Sequence, residues 1–254
     1  TDTESYNYYG PYMPGFDFVE YNSIASLKEK FALYGDRLAA FMVEPIQGEA
    51  GVVVPTDDYL VEVRKLCDEH NVLLIADEVQ TGLCRTGKML ACDHSNIKPD
   101  ILTLGKALSG GTFPISAILA NDEVMLTIKP GQHGSTYGGN PLACKIGMVS
   151  LQVLLDEKMD ENATRQGEVF RQGVLDINSP IVQKVRGKGL LNAVIIDDKS
   201  DDQSTAWNIC VKMAEHGLLA KPTHGNIIRF APPLVINDEQ MAHALEILEK
   251  CLKP

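Results

Sequence analysis

Two residues carry the most legible chemistry. Lys106 stands in LGKALSGG, directly after the apolar run Ile101–Leu104 and among residues small enough to let a bulky ligand approach the backbone. Asp77 closes the run VLLIA, where a carboxylate at the mouth of a buried sheet is costly to desolvate unless something positive meets it. Each has an ordinary alternative, a solvated turn lysine for the first and a helix N-cap for the second. The pair is 29 residues apart, the length of one strand-helix-strand unit. That spacing places both at the ends of neighbouring parallel strands. An amine and a carboxylate so arranged suit pyridoxal phosphate, which needs a lysine for its aldehyde and an acid to keep its pyridine nitrogen protonated. A nucleotide-binding P-loop is excluded, because Ala107 follows Lys106 where Ser or Thr is required and the motif's first glycine is missing.

The elements that must position these residues alternate along the chain. Ile24, Leu27 and Phe31 share one helical face, and Leu38–Val43 reads as a buried strand closed by Glu44 and Pro45. Asp57 and Asp58 open a second helix whose Leu60, Val63 and Cys67 line one side as far as His70 and Asn71. Val72–Ala76 and Ile101–Leu104 are further strands. Polar residues thus gather just after strands, the carboxyl edge where open α/β sheets bind ligands. Asn140 and Pro141 start a helix reaching Leu155, and a polar helix spans Asp160–Asp176. Beyond Pro180 the texture changes to strands at Val185–Gly189, Leu190–Ile196 and Ile227–Phe230. Helices are expected at Ala206–His216, closed by Gly217, and after an Asn237 cap, with Met241, Leu245, Leu248 and Leu252 facing inward. The expected division is residues 1–155 and 156–254, the second a smaller α+β unit entered through a linking helix.

Composition narrows the partners. A chain of 254 residues with 44% hydrophobic content can bury a core without disulfides or metal. A net charge of −11 repels phosphate backbones and anionic lipid, so neither nucleic acid nor membrane is an expected partner. No apolar run approaches the roughly 18 residues of a membrane span, and Thr1–Gly10 lacks the order of a signal peptide. The six cysteines have no zinc-ligand spacing and read as free thiols; no metal is expected. The opening at Thr1 reads as the middle of a longer text.

The strings VEPIQGEAGVVVP, LIADEVQTG, RTGK, KPDILTLGKALSGG, HGSTYGGNPLAC and IIRFAPPL, in this order, resemble the class III (fold type I) aminotransferases that use pyridoxal phosphate. The resemblance covers essentially the whole chain. It implies an α/β fold: the C-terminal part of the class's large domain, a mainly parallel sheet flanked by helices, plus a small α+β C-terminal domain. Members of the class are longer and begin upstream with a segment carrying the phosphate cradle and a ring-stacking aromatic.

The same resemblance assigns roles. Lys106 matches the lysine that bonds the cofactor aldehyde and then moves a proton between substrate and cofactor. Asp77 matches the partner of the pyridine nitrogen, Val79 packs on the ring, and Gln80 hydrogen-bonds the phenolic oxygen. Thr136 matches the residue that reaches the phosphate of a neighbouring subunit, which implies a homodimer or higher oligomer; its alternative is a turn hydroxyl. Arg229 matches the arginine that grips the α-carboxylate of glutamate or 2-oxoglutarate. Glu49 matches the acid that covers it while ornithine binds; a fixed structural salt bridge is the alternative. The implied reaction moves the δ-amino group of L-ornithine to 2-oxoglutarate, in the mitochondrial matrix or the cytoplasm. Acetylornithine and 4-aminobutyrate are the alternative donors, and a non-catalytic interaction partner is the alternative class. Glu44 either supports the site or ends its strand, Glu78 reads as a structural carboxylate, and Cys84, His133 and Trp207 read as bland.

Overall fold

The computed structural model describes residues 3–202 and 204–253. Helix α1 (Thr3–Tyr6) and α2 (Ile24–Tyr34) precede β1 (Ala40–Val43), α3 (Tyr59–Glu69), β2 (Leu73–Asp77), β3 (Ile101–Leu104) and β4 (Ala117–Ala120). The four strands form one sheet in the order β1-β2-β3-β4. The first two pairings are parallel, with Val43 opposite Ala76 and Asp77 opposite Thr103. Ser23 caps α2 by accepting the Ser26 N–H. Leu27 and Phe31 of α2 and Leu60, Val63 and Cys67 of α3 pack with Leu74 on one face of the sheet. Leu74 and Ala76 are buried while Leu73 and Ile75 are half-buried, so β2 alternates instead of being buried throughout. Burial therefore follows the face that α2 and α3 cover.

β4 runs antiparallel to β3, pairing Leu104 with Ala117, the one antiparallel edge on the mainly parallel sheet that the sequence suggested. The reason lies in the connection. A parallel return needs a crossover helix, whereas Gly105–Ser116 contains a single 3-10 turn, Lys106–Ser109, and a reversal through Gly110 and Gly111 at φ +61° and +84°. After the short α4 (Asp122–Met125), α5 (Pro141–Asp156) opens as expected, with Asn140 Oδ1 accepting the Ala143 N–H at 2.9 Å.

The second half contains α6 (Met159–Asp176), β5 (Val182–Lys188), β6 (Leu191–Ile196), α7 (Thr205–Glu215), β7 (Lys221–Thr223), β8 (Ile227–Phe230) and α8 (Asp238–Leu252). Its sheet is antiparallel, in the order β5-β6-β8-β7. All six residues of β6 are buried, which explains the continuous apolar run. Phe170, Met213, Leu248 and Leu252 from the helices pack with Ile228 and Phe230 on one face. The other face holds Leu191, Ala193 and Ile195 against Ile46 and Val52, from the loop after β1. Asn237 and Gln240 form the capping box of α8. β7 escaped the sequence reading because it has three residues, one of them Pro222. Among the described residues no helix is long and apolar enough to cross a membrane.

Candidate active site

β2 delivers Asp77 to the carboxyl edge of the first sheet. Its Oδ1 accepts the Val79 N–H at 3.0 Å and the Thr103 hydroxyl at 3.3 Å. Among the described residues nothing donates to Oδ2. Asp77 is not a helix cap, since turns and no helix follow it. The next side chain, Glu78, is buried and accepts the backbone N–H groups of Ala91 and Cys92 at 3.0 and 2.8 Å, together with the Thr81 hydroxyl. It anchors the following loop, as its reading as a structural carboxylate anticipated. Val79 and Gln80 line a cavity of about 840 Å³. Gly48 makes room for Gln80: a Cβ there would lie 2.4 Å from the Gln80 side-chain amide.

Lys106 borders this cavity and a neighbouring one of about 440 Å³. Its backbone has φ +43°, the left-handed region that a side chain rarely adopts and that collects at functional sites. The Lys106 side chain is exposed, and no carboxylate among the described residues forms an ion pair with it.

The loop between β1 and α3 brings two acids to this edge. Glu44 Oε2 accepts the Gly48 N–H at 3.1 Å. Burial pushes the Glu44 carboxyl above its ordinary value, partly offset by that hydrogen bond; Asp77 adds to the rise and Lys106 opposes it. Glu44, Asp77 and Lys106 thus lie within electrostatic reach of one another. Further along, Glu49 leans onto the second sheet. Its Oε2 is 2.6 Å from Arg229 Nη1, and its Oε1 is 3.1 Å from Lys221 Nζ. The Arg229 side chain is only 15% exposed, against 62% for Glu49. Partial burial raises the Glu49 carboxyl, but the hydrogen bonds and charge of Arg229 and Lys221 outweigh it and hold it below its ordinary value. The loop backbone is fixed as well, by the Thr223 hydroxyl on the Glu49 carbonyl at 3.0 Å and Arg186 Nη2 on the Gly51 carbonyl at 2.7 Å.

Asp77, Val79, Gln80 and Lys106 are thus gathered at one strand edge, and Glu49 and Arg229 meet beside it. Thr136 does not join them. It is exposed in an outlying segment and lines neither cavity, and the turn hydroxyl there belongs to Ser135, which accepts the Gly138 N–H at 2.9 Å.

Two residues escaped the sequence reading. Arg85, in the quoted RTGK string, donates through Nη1 to the carbonyls of Leu190 at 3.0 Å and Pro232 at 2.6 Å, tying the loop after β2 to the second sheet. Burial pushes its guanidinium down to about 10. Lys221 is placed by the turn at 224–226, which folds β7 back on β8 and sets Lys221 opposite Arg229. Cys84 is buried, its thiol pushed up to about 11 by burial, so it is no nucleophile. Trp207 lies on α7 and is 61% exposed. All six cysteines are free, and among the described residues no group of three or more His, Cys, Asp or Glu is placed to hold a metal ion.

Lys106, without an ion-pair partner, and Asp77, with one oxygen uncovered, thus meet at the carboxyl edge of adjoining strands, beside a cavity and the second, antiparallel sheet. Residues 5–252 match the aminotransferase class-III family, and the chain belongs to it. It is 57% identical over 251 residues to the mitochondrial ornithine aminotransferase of Drosophila melanogaster, a match spanning 99% of this chain and 57% of the fly protein. The ornithine aminotransferase of Toxoplasma gondii, described with partial occupancy of PLP at its active site, superposes with a TM-score of 0.94 at 47% identity, over 99% of this chain and 59% of that one. The acetylornithine aminotransferase of Elizabethkingia anophelis gives a TM-score of 0.91 at 56% identity, over 94% and 63%. The chain therefore spans somewhat more than half the length of these relatives.

Proposed function

We propose that the chain acts in pyridoxal phosphate-dependent transfer of the δ-amino group of L-ornithine to 2-oxoglutarate, giving glutamate 5-semialdehyde and glutamate. The residues present suit the cofactor: the uncovered Asp77 Oδ2 can accept from the pyridine nitrogen, Gln80 offers an amide to the phenolic oxygen, and Val79 an apolar surface for the ring. When bound, the cofactor supplies an aldehyde that takes up the amino group and a protonated ring that draws electrons from the substrate carbon. With the cofactor bound, Lys106 Nζ would hold its aldehyde between turnovers and, released as the amine, would move the proton from the substrate carbon. Asp77 would keep the ring nitrogen charged, an electrostatic contribution that an amide cannot make. Residues 1–155 form the cofactor-binding unit in this reading, and 156–254 carry Arg229.

The single observation that carries the substrate assignment is the Glu49–Arg229 contact at 2.6 Å. Arg229 suits the α-carboxylate of a dicarboxylate, but uncovered it would also seize the carboxylate of ornithine and present the wrong amine. Glu49 covers it for ornithine and leaves it for 2-oxoglutarate. The second reading, acetylornithine as donor, is favoured by the 56% identity to the Elizabethkingia protein. A second copy of the chain belongs to this reading: Ile118 of β4 and Leu142 of α5 are 64% and 60% exposed, which leaves apolar surface for it to cover, and Thr136 is exposed, as a residue serving a neighbour's phosphate must be.

Two measurements test the proposal. Borohydride treatment followed by peptide mass spectrometry should find the reduced cofactor on Lys106, and its recovery on another lysine would refute the assignment. Single-turnover comparison of donors should then favour ornithine over N-acetylornithine. The reverse order would install the second reading.

A further inference from the structure

Glu49 faces two cations, and the proposal above uses only one. Lys221 and Arg229 are direct partners in the antiparallel β7–β8 pair, so two like charges stand side by side on one face. Such a pair is destabilising unless an anion lies between them. The Glu49 carboxylate is that anion, with one oxygen on each cation. The cations differ in their surroundings. Arg229 is 15% exposed, whereas Lys221, on the edge strand, is 66% exposed and free to follow a moving partner. The Glu49 carbonyl is pinned by the Thr223 hydroxyl, so its side chain can turn while the loop backbone stays in place.

We propose that Lys221 is the resting partner of Glu49: when a dicarboxylate takes Arg229, the Glu49 carboxylate swings outward and is held by Lys221 alone. The inference rests on the exchange at Arg229 argued above and adds a positioning residue that sets specificity for its dicarboxylate half. Two consequences make the state with dicarboxylate bound the one that gains. Once Arg229 is taken, both Glu49 oxygens are available to Lys221, so that contact strengthens as the other is lost. Glu49 is also kept from lying against the incoming carboxylate, where like charges would repel at close range.

The test uses the cofactor-loaded enzyme and glutarate, a dicarboxylate with no amino or oxo group, which binds without reacting. Calorimetric titration compares the unaltered protein with Lys221→Met, Lys221→Arg, Glu49→Ala and the double variant Glu49→Ala with Lys221→Met. Lys221→Met should raise the glutarate Kd about two- to fivefold, the range of an exposed ion pair, and Lys221→Arg should restore it. In the Glu49→Ala background the same substitution should have much less effect, because Lys221 acts through Glu49. In half-reactions, Lys221→Met should raise the KM for glutamate more than it lowers kcat, so the glutamate-to-ornithine ratio falls. An unchanged Kd, or an equal loss with and without Glu49, overturns the role of Lys221 and leaves the exchange standing. A glutarate Kd unaltered in Glu49→Ala removes the exchange itself, and this inference with it.

Discussion

Replacing Glu49 with alanine is the sharpest test of the function, because it removes the cover from Arg229 and touches neither Lys106 nor Asp77. A hydrogen bond between charged groups contributes about 1.5–3 kcal/mol. The Glu49–Arg229 contact is short at 2.6 Å, yet Glu49 is 62% exposed, so screening trims it to about 1–2 kcal/mol. With the contact gone, dicarboxylates no longer compete with Glu49 for Arg229, and ornithine is drawn to Arg229 by its carboxylate and presents its α-amine. The glutamate-to-ornithine ratio of specificity constants should rise roughly 5- to 30-fold. Stopped-flow single-turnover measurement of each half-reaction reads the ratio directly, and product analysis shows which ornithine amine has left. A fixed structural salt bridge predicts something else, both half-reactions impaired alike with their ratio preserved. That result, or an unchanged ratio, would refute the reasoning.

Asp77→Asn should weaken cofactor binding and slow both half-reactions while leaving thermal stability nearly unchanged, as read by cofactor titration and calorimetry; normal turnover would remove Asp77 from the site. Arg85→Ala strips the side-chain donor from the carbonyls of Leu190 and Pro232 and should cost about 2–4 kcal/mol in denaturant unfolding. A loss below about 0.5 kcal/mol would show that the tie bears no load. The Glu49 carboxyl is held below its ordinary value of 4.5, so its contribution to stability is present above that pH and fades as pH falls through the lower folded value. The stability difference between the unaltered protein and Glu49→Gln should accordingly be flat above about pH 5 and shrink below it; a difference that grows on acidification contradicts the pairing. Dilution to monomer should release cofactor if Thr136 serves a neighbouring subunit, and a monomer retaining it in full, verified by light scattering, denies Thr136 that role.

Local signals made most elements readable. Asn140 with Pro141, and Asn237, announce their helices because a cap is a contact between residues three apart. Ile101–Leu104 and Ile227–Phe230 matched because apolar β-rich runs between turn residues leave little choice. β4 and β7 were missed for opposite reasons. β4 is set by what its connection lacks, a crossover helix, and β7 is three residues long and exists as a strand only by pairing with β8. The juxtaposition of Lys106 and Asp77 was readable because they end consecutive strand units. Glu49 and Arg229 are 180 residues apart, and only the motif strings connected them before the fold did. Arg85 and Lys221 gave no local sign, since the partners that define them are backbone carbonyls and an acid more than 100 residues away.

That difference between near and distant partners also divides the site's labour. The Glu49 loop leaves β1, but the second sheet holds it, through Arg186 on Gly51, Thr223 on Glu49, and Ile46 and Val52 packed against Leu191, Ala193 and Ile195. Lys106 and Asp77 belong to the first sheet. A small displacement of the second sheet therefore carries Arg229, Lys221 and the Glu49 loop as one body, and their mutual distances survive it. Substitutions within that body should change which substrate is chosen, and substitutions at Lys106 or Asp77 should slow every substrate alike. Arg85 joins the two sets without belonging to either, so its loss should scatter the position of the choosing body relative to the reacting one and lower both half-reactions, with their ratio preserved.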